Sequence, residues 1–214
     1  MSQEFGSAVV DTVALQYFLL ARRGELLVEL LGAPLHTPRI VFDPDEVDVP
    51  LESRSELTRG IEVLSRRAVK TQQPPDSRHM AHLKATRLSE VLTLYRHELI
   101  SIVDMTTTER ALAGQLNSRH HVAEFQLRFP LGLGEAACVA VAYERDWTLV
   151  TDDTAGLQAV LHLHPEHRYA RIRRLLQRAA ETGAVTRKEA NAIHREMTAF
   201  GFWDRVLPYP EDAD

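Results

Sequence analysis

A single cysteine, Cys138, among 214 residues excludes a disulfide framework and a thiolate zinc site. Basic surplus is also missing. With 25 Lys and Arg against 30 Asp and Glu the formal charge is -5, which argues against a passive, high-affinity nucleic-acid coat. A local basic patch can still outweigh a mildly acidic total. No apolar run approaches membrane-spanning length. The start, MSQEFGSAVVDT, has neither the basic segment nor the long apolar stretch of a secretory signal, so a cytoplasmic protein that stays out of membranes is expected. None of the ten histidines falls into the H-E-x-x-H pattern of metal hydrolases. LGLGE lacks the lysine and hydroxyl of a phosphate loop and the spacing of a dinucleotide fingerprint.

What is present is an ordinary globular balance, 44% hydrophobic and 26% charged, in a chain long enough for one sizeable core. Short apolar runs alternate with helical periodicity. Ala8 to Val10 reads as a strand closed by Asp11, and VALQYFLLARR continues as a helix. ELLVELLG is a second helix ending at Gly32, and TPRIVF a strand. The acidic, proline-bearing FDPDEVDVPL reads as a loop. SELTRGIEVLSRRAVK and the segment from His79 to Glu98 read as helices separated by the break TQQPPDS.

LISIVDM is the next strand, with Thr106 to Glu109 capping a helix that the pattern carries to about Arg128. LGLGEAACVAVAYERDW is a small-residue helix, TLVTDD a strand and AGLQAVLHL a short helix. A last pair of helices, RYARIRRLLQRAAETG and TRKEANAIHREMTAFG, completes the chain, the second opened by a Thr186/Glu189 capping box. Strands alternating with helices predict a parallel α/β sheet.

Asp11, Glu135, Asp152 and Asp153 share a placement, each at the end of an apolar strand or the opening of a helix. In a parallel sheet such positions gather on one edge, where open α/β proteins place their chemistry. Clustered carboxylates repel unless protons or a cation offset them, and oxygen-only ligands suit magnesium or manganese. Two such ions hold a phosphodiester and activate a water for in-line attack, leaving a 3′-hydroxyl and a 5′-phosphate. The alternative is local: each carboxylate caps a turn or helix.

VVDTVAL at 9–15, LGLGEAACVAVAYERDWTLVTDD at 131–153 and the tail LLQRAAETGAVTRKEANAIHREMTAFGFW resemble the PIN-domain superfamily, in particular its toxin-like branch of nucleic-acid-binding proteins. The resemblance implies a three-layer α/β/α domain with a central parallel sheet over residues 1–164, and a C-terminal helical extension over 165–214. Residues 43–98 form an enlarged loop and helical region. It implies a Mg2+- or Mn2+-dependent endoribonuclease, with RNA preferred over DNA as substrate and a small antitoxin as protein partner.

Carried over by position, Asp11, Glu135 and Asp152 match metal-binding acids, and Asp153 a further acidic position. Thr12 and Thr151 match hydroxyls beside the site. One more acid, usually after the second strand, has to come from Asp43, Asp45, Glu46 or Glu56. Glu56, in SEL at a helix start, is the preferred match, with Glu46 next. If none reaches the cluster, the expected alternative is a catalytically weak or inactive PIN-like module that binds nucleic acid or protein. Arginine-rich helices (Arg66, Arg67, Lys70, Arg78, Lys84 and Arg87, then Arg168 to Arg178) offer backbone-phosphate contacts or merely a solvated face. Phe200, Phe202 and Trp203 either complete the core or form a homo-oligomer contact.

Overall fold

A computed structural model describes residues 5–46, 48–70 and 72–211. The outermost residues of the two expected domain ranges, 1–4 and 212–214, lie outside the described residues, as do Val47 of the 43–98 segment and Thr71 of TQQPPDS.

Among the described residues, five strands form one all-parallel sheet. They are β1 (Ala8–Val10), β2 (Leu35–Pro38), β3 (Ile100–Val103), β4 (Thr148–Val150) and β5 (Tyr169–Ala170), in the order β3-β2-β1-β4-β5. Strand alternation sorts side chains to two cores. Ala8, Val10 and Val150 face one layer, Val9 and Leu149 the other. The first layer holds α1 (Thr12–Leu20), α2 (Gly24–Leu31), α5 (Glu90–Arg96), α9 (Ile172–Glu181) and α10 (Arg187–Ala199). The second holds α6 (Thr107–Leu116), α7 (Leu133–Arg145) and α8 (Thr154–Leu163). The result is a three-layer α/β/α fold with a C-terminal helical extension.

Local chemistry explains most element limits. Asp11 caps α1 by accepting the Ala14 amide at 2.8 Å. Thr106/Glu109 and Thr186/Glu189 form reciprocal capping boxes on α6 and α10. In α7, Ala136 to Ala142 are all buried, and the alanines let the helix lie close under β1, β2 and β4. Helix α9 buries Ile172, Leu175, Leu176 and Ala179, one stripe of an amphipathic helix.

Within the 43–98 segment, α3 (Glu56–Val69) and α4 (Pro75–Leu88) pack on each other, and α4 rests on α1. Arg87 pairs with Glu196 at 2.5 Å and lies 4.6 Å over the Phe200 ring, while Lys84 donates to the Phe200 carbonyl at 3.0 Å. These basic groups therefore fasten α4 to the C-terminal helix. Arg66 pairs with Glu62, and Arg173 with Asp204. Phe200 and Phe202 complete the core, whereas Trp203 is exposed. No helix among the described residues is long and apolar enough to cross a membrane.

Three elements differ from the sequence pattern. Of TPRIVF only Thr37 and Pro38 belong to the second strand, which is Leu35–Pro38, and Ile40 and Val41 lie in the turn beyond it. Pairing with β3 through Leu35↔Ile100 outweighs the β-branched preference of Ile40 and Val41. The helix expected to run to about Arg128 stops at Leu116, where Asn117 donates through its side-chain amide to the Leu131 carbonyl at 2.6 Å. Tyr169 and Ala170, expected inside a helix, are β5, held to β4 by Leu149↔Tyr169 and Val150↔Ala170.

Candidate active site

In the strand order, the chain leaves β1 toward β2 and returns from β3 to β4 on the opposite side of β1. The C-terminal ends of β1 and β4 thus mark the topological switch point. Asp11 follows β1, and Thr151, Asp152 and Asp153 follow β4. The Asp11 amide bonds the Val150 carbonyl at 3.1 Å, and the Thr151 hydroxyl donates to Asp11 Oδ2. That hydroxyl also accepts the Asp153 amide at 3.0 Å, so one threonine ties the two strand ends together.

Two further acids join from the helices. Glu56, in the first turn of α3, accepts the Gly134 amide at 3.1 Å through Oε1 and the Thr12 hydroxyl through Oε2. Glu135, in the first turn of α7, accepts the Gly156 amide at 2.7 Å. Its carboxyl also meets that of Asp153 at hydrogen-bonding range. Asp153 itself caps α8 through the Ala155 amide at 2.8 Å. Asp11, Glu56 and Glu135 all act on the buried Cys138 thiol, which burial first and then these three charges push well up.

Two glycines make room for this arrangement. A Cβ on Gly134 would lie 2.3 Å from Glu56 Oε2, and one on Gly156 would lie 2.8 Å from Glu135 Oε1. This task, leaving space for a carboxylate from another element, has no local sequence signal.

Asp152 is committed elsewhere. Its Oδ2 accepts the Ile172 amide at 2.8 Å and so caps α9 from outside that helix. Its surroundings are Arg171, Asp204 and Arg173, although its charge still reaches Asp11. Of the adjacent pair, Asp153 is the residue that meets Glu135. Glu46, the second choice from the long loop, accepts the Ser55 amide and hydroxyl at 2.7–2.8 Å and stays at the foot of α3. Asp43 is paired with Arg39 at 3.1 Å, and Asp45 donates its amide to Asp43. Glu56 is therefore the member of that segment that reaches the cluster.

The electrostatics are unfavourable for a fully ionised set. Burial, supported by the charges of Asp152 and Asp153, pushes the Asp11 carboxyl up to about 7. Burial, then Asp153, pushes Glu135 up to about 8. Burial raises Asp152 to about 6, against the opposing pull of the Ile172 amide and Arg171. No arginine, lysine or histidine forms an ion pair with Asp11, Glu56, Glu135 or Asp153 among the described residues.

Among the described residues, no three His, Cys, Asp or Glu side chains stand in a ready-made metal cage. Amide and hydroxyl bonds turn each carboxylate of the cluster toward the protein. The donor chemistry nevertheless fits a hard divalent cation: oxygen alone, largely withdrawn from water, and without a protein cation to offset it. The histidines stay outside this set. His162 packs against Phe125 at 6.5 Å and His164 against His167 at 6.1 Å.

Compared with known protein families, curated proteins and solved structures, the chain matches none. The class defined by the described residues is a three-layer α/β/α protein with a central parallel sheet and carboxylates at its switch point.

Proposed function

We propose that the chain is a divalent-metal-dependent nuclease of the PIN type, hydrolysing RNA phosphodiesters. The observation behind this reading is that Asp11, Glu56, Glu135 and Asp153, from four separate elements, lie at the switch-point edge of the sheet with no ion-pairing cation among the described residues. Asp11, Glu56, Glu135 and Asp153 would hold Mg2+ or Mn2+. Divalent-metal chemistry there supplies polarisation of the phosphate and a nucleophilic water at neutral pH. Thr12 and Thr151 fix the orientation of Glu56 and Asp11. Asp152 acts from behind, fastening the loop that carries Asp153 to α9.

A binding module without hydrolysis is the second reading. It draws on the amide and hydroxyl partners already engaging these carboxylates. Both readings meet one experiment: incubate the protein with structured and single-stranded RNA, and with matched DNA, in manganese, magnesium or EDTA. Folded Asp11→Asn, Glu135→Gln and Asp153→Asn variants run beside it. Metal-dependent cutting of RNA that disappears in all of the variants is the expected result. Binding without cutting would select the second reading, and undiminished cutting in the variants would overturn the site.

A further inference from the structure

Glu56 reaches the cluster from the first turn of α3, and the start of that helix is anchored from outside. Ser55 stands at the N-cap, yet its hydroxyl caps no amide of the helix. Two of those amides go instead to the turn after β2. Glu56 N–H donates to the Ile40 carbonyl at 2.9 Å and Leu57 N–H to the Val41 carbonyl at 3.0 Å.

The Ser55 hydroxyl is left to join the preceding loop to the helix. It accepts the Asp43 amide at 3.0 Å and donates to Glu46 Oε2 at 2.8 Å. The Ser55 amide donates to both Glu46 oxygens, at 2.7 and 2.8 Å. Thr58 adds a hydroxyl bond to the Asp43 carbonyl at 3.3 Å. Ser55 is buried, so removing the Glu46 carboxylate leaves an interior amide without its acceptor.

One residue beyond this anchor, the same turn serves α7. Gly132, the N-cap of α7, has no side chain, and Glu56 Oε1 takes the Gly134 amide at 3.1 Å in place of a local cap. The two glutamates thus work in series. Glu46 holds the start of α3, and the start of α3 holds Glu56 against α7.

We infer that Glu46 is a positioning residue for the carboxylate cluster: through Ser55 it sets where α3 begins and so where the Glu56 carboxylate stands. Its effect on metal rests on the nuclease reading; its hold on Glu56 does not. A carboxylate accepting an amide and a hydroxyl makes charge-assisted bonds, stronger than those of a neutral acceptor. Glutamine keeps one acceptor oxygen, aspartate keeps the charge but shortens the reach, and alanine keeps neither. Partners that orient a metal ligand in this way typically alter metal affinity about ten- to hundredfold when removed.

Full-length Glu46→Ala, Glu46→Asp and Glu46→Gln are compared with wild type and with Glu189→Ala, which opens the capping box of α10. Hydrogen exchange of the Gly134 amide, read by NMR in EDTA, reports whether Glu56 is still in place. Protection is expected to be lost in Glu46→Ala, reduced in Glu46→Asp, largely kept in Glu46→Gln and unchanged in Glu189→Ala. Calorimetric titration with manganese should give a dissociation constant raised about ten- to hundredfold in Glu46→Ala, partly restored in Glu46→Gln and unaltered in Glu189→Ala. Glu46→Asp carries the same comparison if the alanine variant does not fold.

Gly134 protection equal to wild type in Glu46→Ala and Glu46→Asp overturns the inference. So does an equal loss in Glu189→Ala, which would trace the effect to global stability. Lost protection with unchanged manganese affinity also overturns it and leaves Glu46 a structural cap. If wild type neither binds manganese nor cuts RNA while Gly134 responds as expected, the nuclease reading alone falls, since Glu46 still sets the place of Glu56.

Discussion

The Glu56 carboxylate accepts the backbone amide of Gly134 at 3.1 Å across 78 residues of chain. That bond brings the first turn of α3 onto the first turn of α7, and it exists because residue 134 has no side chain. Gly134→Ala puts a methyl group 2.3 Å from Glu56 Oε2 and displaces it. Stability is expected to drop by about 1–3 kcal/mol, the usual cost of overpacking. Metal-dependent hydrolysis should fall with far-ultraviolet dichroism unchanged. A variant of wild-type stability and rate would show that Glu56 has no place in the cluster.

Asp152 and Asp153 are expected to part company under mutation. Asp153→Asn removes a charge that faces Glu135 and should abolish hydrolysis. Asp152→Asn keeps an oxygen to accept the Ile172 amide and should retain most activity. Asp152→Ala loses that acceptor, with an expected destabilisation of about 1–3 kcal/mol. Rate measurements and denaturant melts on the three variants check this; equal loss of rate in both Asn variants would contradict it.

The metal-free protein should lose stability as pH rises. Asp11 and Glu135 have folded-state values of about 7 and about 8, above the ordinary carboxyl range. Their protonated forms therefore favour the folded state below that ordinary range, and this contribution disappears as pH climbs through about 7 and then about 8. Melting temperature in EDTA should decline from pH 5 to about 8.5. Manganese should raise it more at the alkaline end, where the carboxylates are charged. A manganese effect that is the same at both ends would sink this account.

His194 sets a separate acid limit. The ring is fully buried, neither nitrogen has a hydrogen-bond partner among the described residues, and Phe202 packs edge-on at 5.6 Å. Burial lowers its proton affinity, with Asp204 opposing and Arg173 adding to the effect. The neutral ring contributes stability above the ordinary histidine value, and that contribution is lost as pH falls through the lowered folded-state value. His194→Phe should flatten the acid side of the stability profile. Equal acid sensitivity in wild type and variant would exclude this origin.

Much of the framework was legible in the sequence because local chemistry decides it. The Thr106/Glu109 and Thr186/Glu189 capping boxes lie where the spacing put them, and Asp11 stands at a strand end opening a helix. β5 was not legible. Two residues, Tyr169 and Ala170, carry no period of their own and become a strand only because β4 lies beside them.

The same limit applies to the acids. Glu56 was named from its position at a helix start, but the choice between Asp152 and Asp153 depends on which way each side chain leaves the strand exit. Neighbouring residues in extended backbone point to opposite sides, and nothing in the letters DD says which side holds α9 and which holds Glu135.

That opposition has a mechanical consequence. Asp152 and Asp153 flank one peptide plane, with one carboxylate fixed to the C-terminal helices and the other beside Glu135. The start of α9 and the carboxylate beside Glu135 are thus joined by a single peptide unit, with no intermediate relay of side chains.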